Sequence, residues 1–271
     1  MTALTTKDLA LAYDGMEVVH GVELRIPPGR ITALVGPNGS GKSTLLRGLS
    51  RLMRPTRGAA YLDHRAIDRM PTRQVARQVA MLPQRADAPN GLTVAELVSY
   101  GRFPYQGWMG SLSVEDESKV AKAMELTGVH GLANRNMGEL SGGQRQLAWI
   151  AMALAQDTEI LLLDEPTTFL DLAHQLEVLE VLNQLHKQEG RTIVMVLHDI
   201  NQAARYADHM IALKDGRIAA EGTPQEIVTP EVLGGVFDIE AEILYRGPEQ
   251  VPFCIPIRNR SSGAAADCIT G

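Results

Sequence analysis

Two separate glycine-rich segments have the residue types and spacing of phosphate-binding sites. Residues 36–43 read GPNGSGKS and fit the pattern G-x-x-x-x-G-K-S/T, and residues 140–144 read LSGGQ. Each segment places backbone N–H groups at the start of a predicted helix, where they can bind phosphate oxygens. The sequence therefore predicts two phosphate-binding sites in one chain.

The first segment has the order of elements that a phosphate-binding loop requires. An apolar, β-branched run at residues 31–35 precedes it, and a predicted helix at residues 44–52 follows it. The glycines let the loop curl its amides around a β-phosphate, Lys42 reaches the β- and γ-phosphates, and the Ser43 hydroxyl is a ligand for Mg²⁺. The predicted nucleotide-binding residues are Gly36, Pro37, Asn38, Gly39, Ser40, Gly41, Lys42, Ser43 and Thr44.

Two adjacent carboxylates follow the apolar run at residues 160–163. Asp164 suits Mg²⁺, and Glu165, whose side chain points differently, can face the water that attacks a γ-phosphate. Acidic pairs after strands are common, and this pair alone would decide nothing. Together with the two glycine segments it predicts hydrolysis of a nucleoside triphosphate.

These residues need an α/β fold to position them. Alternation over residues 4–35 predicts a small antiparallel β layer, in which Val22, Leu24 and Ile26 share one face. Continuous apolar runs at 160–163 and 192–197 predict parallel strands buried on both faces of a helix-covered sheet. Two further strands are predicted at residues 59–62 and 79–82, and a hairpin turn at residues 215–216.

The part of the chain between about residues 90 and 157 has a helical pattern throughout and is predicted to be an inserted subdomain. Capping boxes are predicted at 93–96 and 113–116, and a helix stop at Gly128. After this subdomain, leucines at helical spacing predict one buried helix face; they are Leu172, Leu176, Leu179, Leu182 and Leu185.

Composition excludes several classes of protein. The chain has 271 residues, 45% of them hydrophobic, and a net charge of −6, which argues against a nucleic-acid partner. Its longest apolar helical stretch, 147–155, is far shorter than the roughly 18 residues that span a bilayer, and its first residues lack a signal-peptide pattern. Cys254 and Cys268 lack metal-ligand spacing. We expect a cytoplasmic protein.

Together these segments resemble the ATP-binding cassette (ABC) family over residues 4–240. The most specific element is the LSGGQ segment, which other phosphate-loop enzymes lack, lying just before the Asp164–Glu165 pair. The resemblance implies ATP and Mg²⁺ as ligands and a phosphate-loop NTPase core. It also implies an ATPase domain at 1–240 with the helical subdomain inside it, and a C-terminal extension at 241–271 with a frayed tail from residue 261.

Further roles follow from the resemblance where residues match. Tyr13 corresponds to the aromatic residue that stacks on adenine, although a tyrosine packed in the core remains the alternative. Gln84 corresponds to the glutamine that touches Mg²⁺ and senses the membrane partner, the alternative being a solvated loop residue. Asp171 is the carboxylate of the loop that links two active sites. His198 corresponds to the γ-phosphate switch, so that the predicted catalytic set is Glu165, His198, Lys42 and Gln84.

The second glycine segment is explained by a homodimer. In the family, Ser141 and Gly143 contact the γ-phosphate held by the other subunit, so the predicted ATP-binding set extends to Ser141, Gly142, Gly143 and Gln144. Loss of the γ-phosphate on hydrolysis then lets the two subunits part, which makes the ATPase a motor subunit.

Three functions compatible with the resemblance are a transporter ATPase, a soluble cassette of translation or DNA repair, and a nucleotide-binding module without catalysis. The presence of Glu165 and His198 opposes the last, and a single cassette without a long coiled coil opposes the second. Residues 101–105 and 170–175 resemble importers of ferric siderophores, haem and vitamin B12, although Tyr105 stands where a histidine is expected. We expect a peripheral subunit at the cytoplasmic face of the inner membrane. It would bind permease subunits and be served indirectly by a substrate-binding protein. Ferric siderophore is ranked first as the transported substrate, with haem or cobalamin as alternatives.

Overall fold

The computed structural model describes residues 2–84, 89, 91–107 and 111–260. The strands are β1 Leu4–Tyr13, β2 Met16–Ile26, β3 Ile31–Val35, β4 Arg57–Leu62, β5 Arg65–Ala66, β6 Val79–Leu82, β7 Ile160–Leu163, β8 Thr192–Val196, β9 His209–Lys214, β10 Arg217–Gly222, β11 Ile239–Arg246 and β12 Val251–Asn259. The α-helices are α1 Lys42–Leu49, α2 Thr72–Ala76, α3 Val94–Ser99, α4 Val114–Leu126, α5 Gly142–Ala155, α6 Leu172–Glu189, α7 Ile200–Tyr206, α8 Pro224–Ile227 and α9 Pro230–Val236.

A six-stranded sheet in the order β10-β9-β3-β8-β7-β6 is the centre of the fold. The pairs joining β9, β3, β8, β7 and β6 are parallel, and only β10 runs antiparallel to its neighbour β9. Every residue of β3, β7 and β8 is buried, as their continuous apolar sequences predict. Because these three strands are parallel neighbours, their carboxyl ends meet at one edge, where ligands bind in such sheets.

The predicted antiparallel layer is present as a four-stranded sheet in the order β2-β1-β4-β5. Val22, Leu24 and Ile26 are buried on one face of β2, as the alternation predicts. They pack in one hydrophobic cluster with α1 and with one face of the central sheet. The strand predicted at 59–62 begins at Arg57 and pairs with β1, so it belongs to this layer.

The second face of the central sheet is covered by helices, among them α3, α4 and α5 from the predicted helical subdomain. Both predicted capping boxes are formed, at Thr93 with Glu96 and at Ser113 with Asp116. Gly128 follows α4 with a φ of 71°, the left-handed conformation that commonly ends a helix. That residues from about 90 to 157 form an inserted subdomain stays a prediction.

The predicted apolar face of α6 is wrong at its first member. Leu179, Leu182 and Leu185 are buried, whereas Leu172 is 68% exposed. Leu172 directly follows the exposed N-cap residue Asp171 and lies in the first turn of α6. None of the core residues that the structure describes covers it there. Helical spacing identifies a shared face, but it does not show how far the core extends along that face.

A C-terminal hairpin of β11 and β12 packs on the helix-covered side through Ala241 and Cys254. The Asn201 side chain in α7 clamps it, since Oδ1 accepts a hydrogen bond from Cys254 N at 2.7 Å and Nδ2 donates to Cys254 O at 3.1 Å. The predicted frayed tail, residues 261–271, and Cys268 lie outside the described residues. Within the described residues, no helix has the length and apolar character needed to cross a membrane.

Candidate functional site

The loop between β3 and α1 has the geometry of a phosphate cradle. Gly36 and Gly41 have φ angles of 147° and 96°, and a Cβ atom on Gly36 would lie 2.9 Å from Ser40 Oγ and closer still to the Leu213 carbonyl. No side chain of the described residues caps the N-terminus of α1, so its amides remain available to an anion.

The Lys42 ammonium is held inside this loop. It donates to the carbonyl oxygens of Gly36 and Pro37, each at 2.8 Å, and lies 3.5 Å from Ser40 Oγ. Burial lowers the pKa of Lys42 below its usual value, while the charges of Glu165 and Asp164 act in the opposite direction. A phosphate in the loop would supply the negative charge that this buried cation favours.

Ser43 and Asp164 fit a divalent cation. Ser43 Oγ donates to Asp164 Oδ1 at 2.7 Å, and Asp164 is only 1% exposed. The second carboxylate oxygen, Oδ2, is buried without a hydrogen-bond partner among the residues that the structure describes. Burial raises the pKa of Asp164, a hydrogen bond from Ser43 opposes this, and the charge of Glu165 adds to it. A cation would satisfy the orphaned oxygen and stabilise the ionised carboxylate.

Glu165 is held by three side chains from different segments. Its Oε1 lies 2.6 Å from His198 Nε2, and its Oε2 accepts hydrogen bonds from Gln84 Nε2 at 2.6 Å and Thr168 Oγ1 at 2.9 Å. Burial alone would raise the pKa of this carboxyl, but the hydrogen bonds from His198, Thr168 and Gln84 and the charge of His198 lower it below its ordinary value. Glu165 is therefore an ionised, oriented acceptor at neutral pH.

Some of the predicted residues of the first site line one open cavity of about 220 Å³, whereas Gly36, Pro37, Ser40, Gln84 and Asp164 do not. Its lining comprises Val18, Asn38, Gly39, Gly41, Lys42, Ser43, Thr44, Glu165 and His198. Val18 and Thr168 fall outside the predicted set. Thr168 lies three residues after Glu165, and this short spacing is a sequence signal from which its contact with Glu165 could have been inferred. No sequence signal marks Val18.

Tyr13 lies at the end of β1 and is 42% exposed, which excludes the core-packed alternative. Its hydroxyl accepts a hydrogen bond from Arg47 Nη1 at 3.0 Å, and Arg47 belongs to the helix that begins at the phosphate loop. Tyr13 does not line the cavity itself. Stacking on adenine therefore remains a prediction.

The second glycine segment is separate from the Lys42 cavity. Ser141 caps α5 and forms a capping box with Gln144, which leaves Gly142 and Gly143 in the first turn. Asp171 caps α6 beside it, and its carboxylate accepts hydrogen bonds from the backbone and ring of His174. None of these residues lines the Lys42 cavity of the same chain.

Comparison with known proteins shows the family of the chain. The sequence profile of the family described as "ABC transporter" matches residues 19–168. The chain belongs to this family. This cassette is also 52% identical over 255 residues to the iron(3+)-hydroxamate import ATP-binding protein FhuC of Bacillus subtilis, an alignment that covers 94% of the chain and 95% of that relative.

Solved structures share the fold of this ABC ATPase. A chain from a transporter described as of the metal-chelate type, in an inward-facing conformation, superimposes with a TM-score of 0.82 and 28% identity and covers 95% of this cassette and 98% of that chain. A dimeric bacterial ABC transporter cassette gives a TM-score of 0.72 and 30% identity over 82% of this cassette and 98% of that chain.

Proposed function

We propose that this chain is the ATP-hydrolysing subunit of a ferric siderophore importer. The single observation that carries the substrate class is the 52% identity to the iron(3+)-hydroxamate import protein across 94% of the chain. The hydrolytic role is supported by the site itself, since Glu165 faces the Lys42 cavity and is oriented by His198, Gln84 and Thr168.

In this proposal ATP places its β- and γ-phosphates in the loop 36–43. Lys42 exchanges its contacts with the Gly36 and Pro37 carbonyls for phosphate oxygens. Glu165 orients the attacking water and accepts its proton, and His198 and Gln84 hold the carboxylate for that task. Ser43 and Asp164 would hold Mg²⁺, with Gln84 as the third predicted ligand, and the ion would supply positive charge to the phosphates.

The site is completed by a second copy of the chain. Ser141 and Gly143 do not line their own Lys42 cavity, yet they stand at the N-terminus of α5, a helix of 14 residues whose first amides suit an anion. A two-fold dimer in which the second glycine segment of each chain covers the partner's Lys42 cavity gives these amides a phosphate to bind. The dimeric solved cassette supports this arrangement.

The proposal further places the cassette dimer at the cytoplasmic face of the inner membrane, against permease subunits that receive the siderophore from a substrate-binding protein. Gln84 joins Glu165 to the start of the segment that leads into the helical subdomain. It is the residue through which permease contact would alter the orientation of Glu165.

The test is uptake in a strain that lacks this chain and has no redundant importer. We expect uptake of labelled ferric hydroxamate to be lost, to return with the wild-type chain, and not to return with Glu165→Gln. The matched control Glu221→Gln, on the exposed edge strand β10, should restore uptake. Loss of labelled haem or cobalamin uptake instead would identify the alternative cargo, and undiminished uptake of all three would refute the import proposal.

A further inference from the structure

His174 occupies the space between the loop of Asp171 and the second glycine segment. It lies in the first turn of α6, where Asp171 Oδ1 accepts hydrogen bonds from its backbone N at 3.0 Å and from its ring Nδ1 at 2.7 Å. The carboxylate thus fixes both the turn and the plane of the ring. Of the two ring nitrogens, Nδ1 must carry the proton, because its partner is an acceptor only.

The same ring lies directly against the backbone of Gly143. A Cβ atom on Gly143 would lie 2.6 Å from Cγ of His174 and closer still to Cδ2, so any larger residue would have to displace the imidazole. Gly143 sits in the first turn of α5 and has no left-handed φ, so backbone strain does not explain the glycine. The imidazole does, since its Cγ and Cδ2 atoms occupy the space that a side chain would fill.

Three neighbouring contacts hold the same loop. Gln175, the next residue, donates through Nε2 to the Leu170 carbonyl at 3.0 Å and accepts from Gln202 Nε2 at 2.6 Å. Leu170 itself packs beside Gly142, with its Cδ2 atom 3.7 Å from the position of a Cβ on that glycine. The loop therefore meets the start of α5 at Leu170 and again at His174.

We propose that His174 is a positioning residue that fixes the Asp171 loop and the glycines of the second glycine segment, Gly142 and Gly143, as one rigid unit. This inference rests on the proposed function, because the unit acts on the nucleotide held by a second copy of the chain. Movement of the loop on ATP binding or hydrolysis would carry the α5 amides with it through the imidazole. Without the ring, the loop and the amides would approach the partner's γ-phosphate independently, at a greater entropic cost.

The first experiment measures ATP-dependent dimerisation in the Glu165→Gln background. His174→Ala should weaken the dimer about tenfold or more, as expected for loss of a well-packed interface support. ATP binding to the monomer, measured with a fluorescent ATP analogue, should stay unchanged, because His174 does not line the Lys42 cavity. His130 is an exposed histidine in another segment, and the control His130→Ala should change neither the affinity of the dimer nor the affinity of the monomer for ATP.

Two conservative variants separate the contacts of the imidazole. His174→Phe keeps a ring against Gly143 but cannot donate to Asp171, and His174→Asn keeps a donor near the Nδ1 position but lacks the ring. Each should restore part of the dimer affinity lost in His174→Ala. Dimerisation of His174→Ala at the level of its parent, or an equal loss of monomer ATP affinity, would overturn the proposal.

A melting experiment tests the contact without nucleotide or dimer. Gly143→Ala should lower the Tm, because the methyl overlaps the imidazole, whereas the same substitution in a His174→Ala background should lower it much less, because only the contact with the Cβ atom of residue 174, at 3.0 Å, remains. Equal lowering in both backgrounds would overturn the contact. If Glu165→Gln with native His174 forms no ATP-dependent dimer, the proposed function fails, and this melting cycle still decides whether His174 fixes Gly143.

Discussion

Nε2 of His198 lies 2.6 Å from Oε1 of Glu165, so the residues that follow β8 and β7 are joined at the carboxylate facing the phosphate cavity. His198 is 44% exposed at its side chain and Glu165 only 9%, which makes the histidine the accessible member of the pair. A γ-phosphate in the cavity would compete for the same imidazole. The pair thus links nucleotide state to the position of the base.

The first prediction concerns this pair. His198→Ala should lower the turnover number by about 10²-fold or more, because Glu165 loses the hydrogen bond that orients Oε1 and the γ-phosphate loses a contact. The KM for ATP should change much less, since Lys42 and its loop are intact. Steady-state hydrolysis measures both, and a larger effect on KM than on turnover would contradict the assignment.

The second prediction tests the shared site. Lys42→Ala and Ser141→Arg should each prevent nucleotide trapping in a Glu165→Gln homodimer. A mixed dimer with one defect in each chain should trap one ATP per dimer, because one composite site is then intact and the other carries both defects. Differently tagged chains allow the mixed dimer to be purified. Trapping by the mixed dimer no greater than by either parent would rule out a site built from both chains.

The third prediction uses an exposed apolar pair on either side of Asp171. Phe169 is 81% exposed and has a φ of 65°, and Leu172 is 68% exposed. If the second copy of the chain covers the surface formed by Phe169 and Leu172, Phe169→Ala should weaken ATP-dependent dimerisation of the Glu165→Gln chain by about 30-fold, as for a central aromatic contact.

A matched control for this surface is Leu52→Ala. Leu52 is 67% exposed but follows α1 at the end of the helix opposite Lys42, so its removal should leave the dimer unchanged. Sedimentation of both variants with and without ATP makes the comparison. Equal effects of Phe169→Ala and Leu52→Ala would place the dimer interface elsewhere.

Short-range features of the fold could be predicted from the sequence. The bounds of β6 and β7 agree with the predicted 79–82 and 160–163, because a short apolar run leaves little choice of where the strand begins and ends. Both capping boxes formed because their partners are three residues apart. The phosphate loop could be predicted for the same reason, since one short segment carries its geometry.

Contacts between distant segments could not be predicted. The sequence marks the segments of His174 and Gly143 separately but does not pair the two residues. Only the approach of α6 to α5 places the imidazole where a side chain on residue 143 would lie. The hairpin of β11 and β12 could likewise not be predicted, because the apolar–polar alternation of β11 extends only over residues 239–243 and the support of the hairpin comes from Asn201 in α7.

A further long-range contact lies in the segment 101–105. Arg102 Nε donates to Asp116 Oδ1 at 2.7 Å, and Nη1 donates to the Ala155 carbonyl at 2.8 Å, with Tyr105 stacked on the guanidinium. Arg102 and Asp116 are both buried, and Arg102 fixes α4 to the end of α5 through the ion pair and the bond to Ala155. The sequence resemblance marked the segment but did not reveal the pair.

The fourth prediction is that Asp116→Asn lowers the free energy of unfolding by about 3–5 kcal/mol at neutral pH, because it leaves the Arg102 charge buried and unpaired. The hydrogen bond from the Ser113 backbone holds the pKa of Asp116 below its ordinary value of 3.8, although burial opposes it, and bonds from Arg102 and Ser113 add to the lowering. As the pH falls, Asp116 is therefore protonated first in the unfolded chain. Its contribution to the free energy of unfolding is present above the ordinary pKa and is lost as the pH falls through the lower pKa of the folded chain.

Denaturant unfolding of the wild type and Asp116→Asn over an acidic pH series measures both effects. The difference in stability between the two chains should shrink as Asp116 becomes protonated. A difference that stays constant down to the lowest pH would show that the carboxylate charge is not what stabilises this contact.

The most direct test of the whole account is the behaviour of Glu165→Gln with ATP. The substitution keeps the phosphate loop and the Ser43–Asp164 pair but removes the carboxylate that orients water. Single-turnover hydrolysis should fall by at least 10²–10³-fold, while light scattering should show the mass of the protein doubling with ATP but not with ADP. Hydrolysis at the wild-type rate, or a monomer at saturating ATP, would contradict the account.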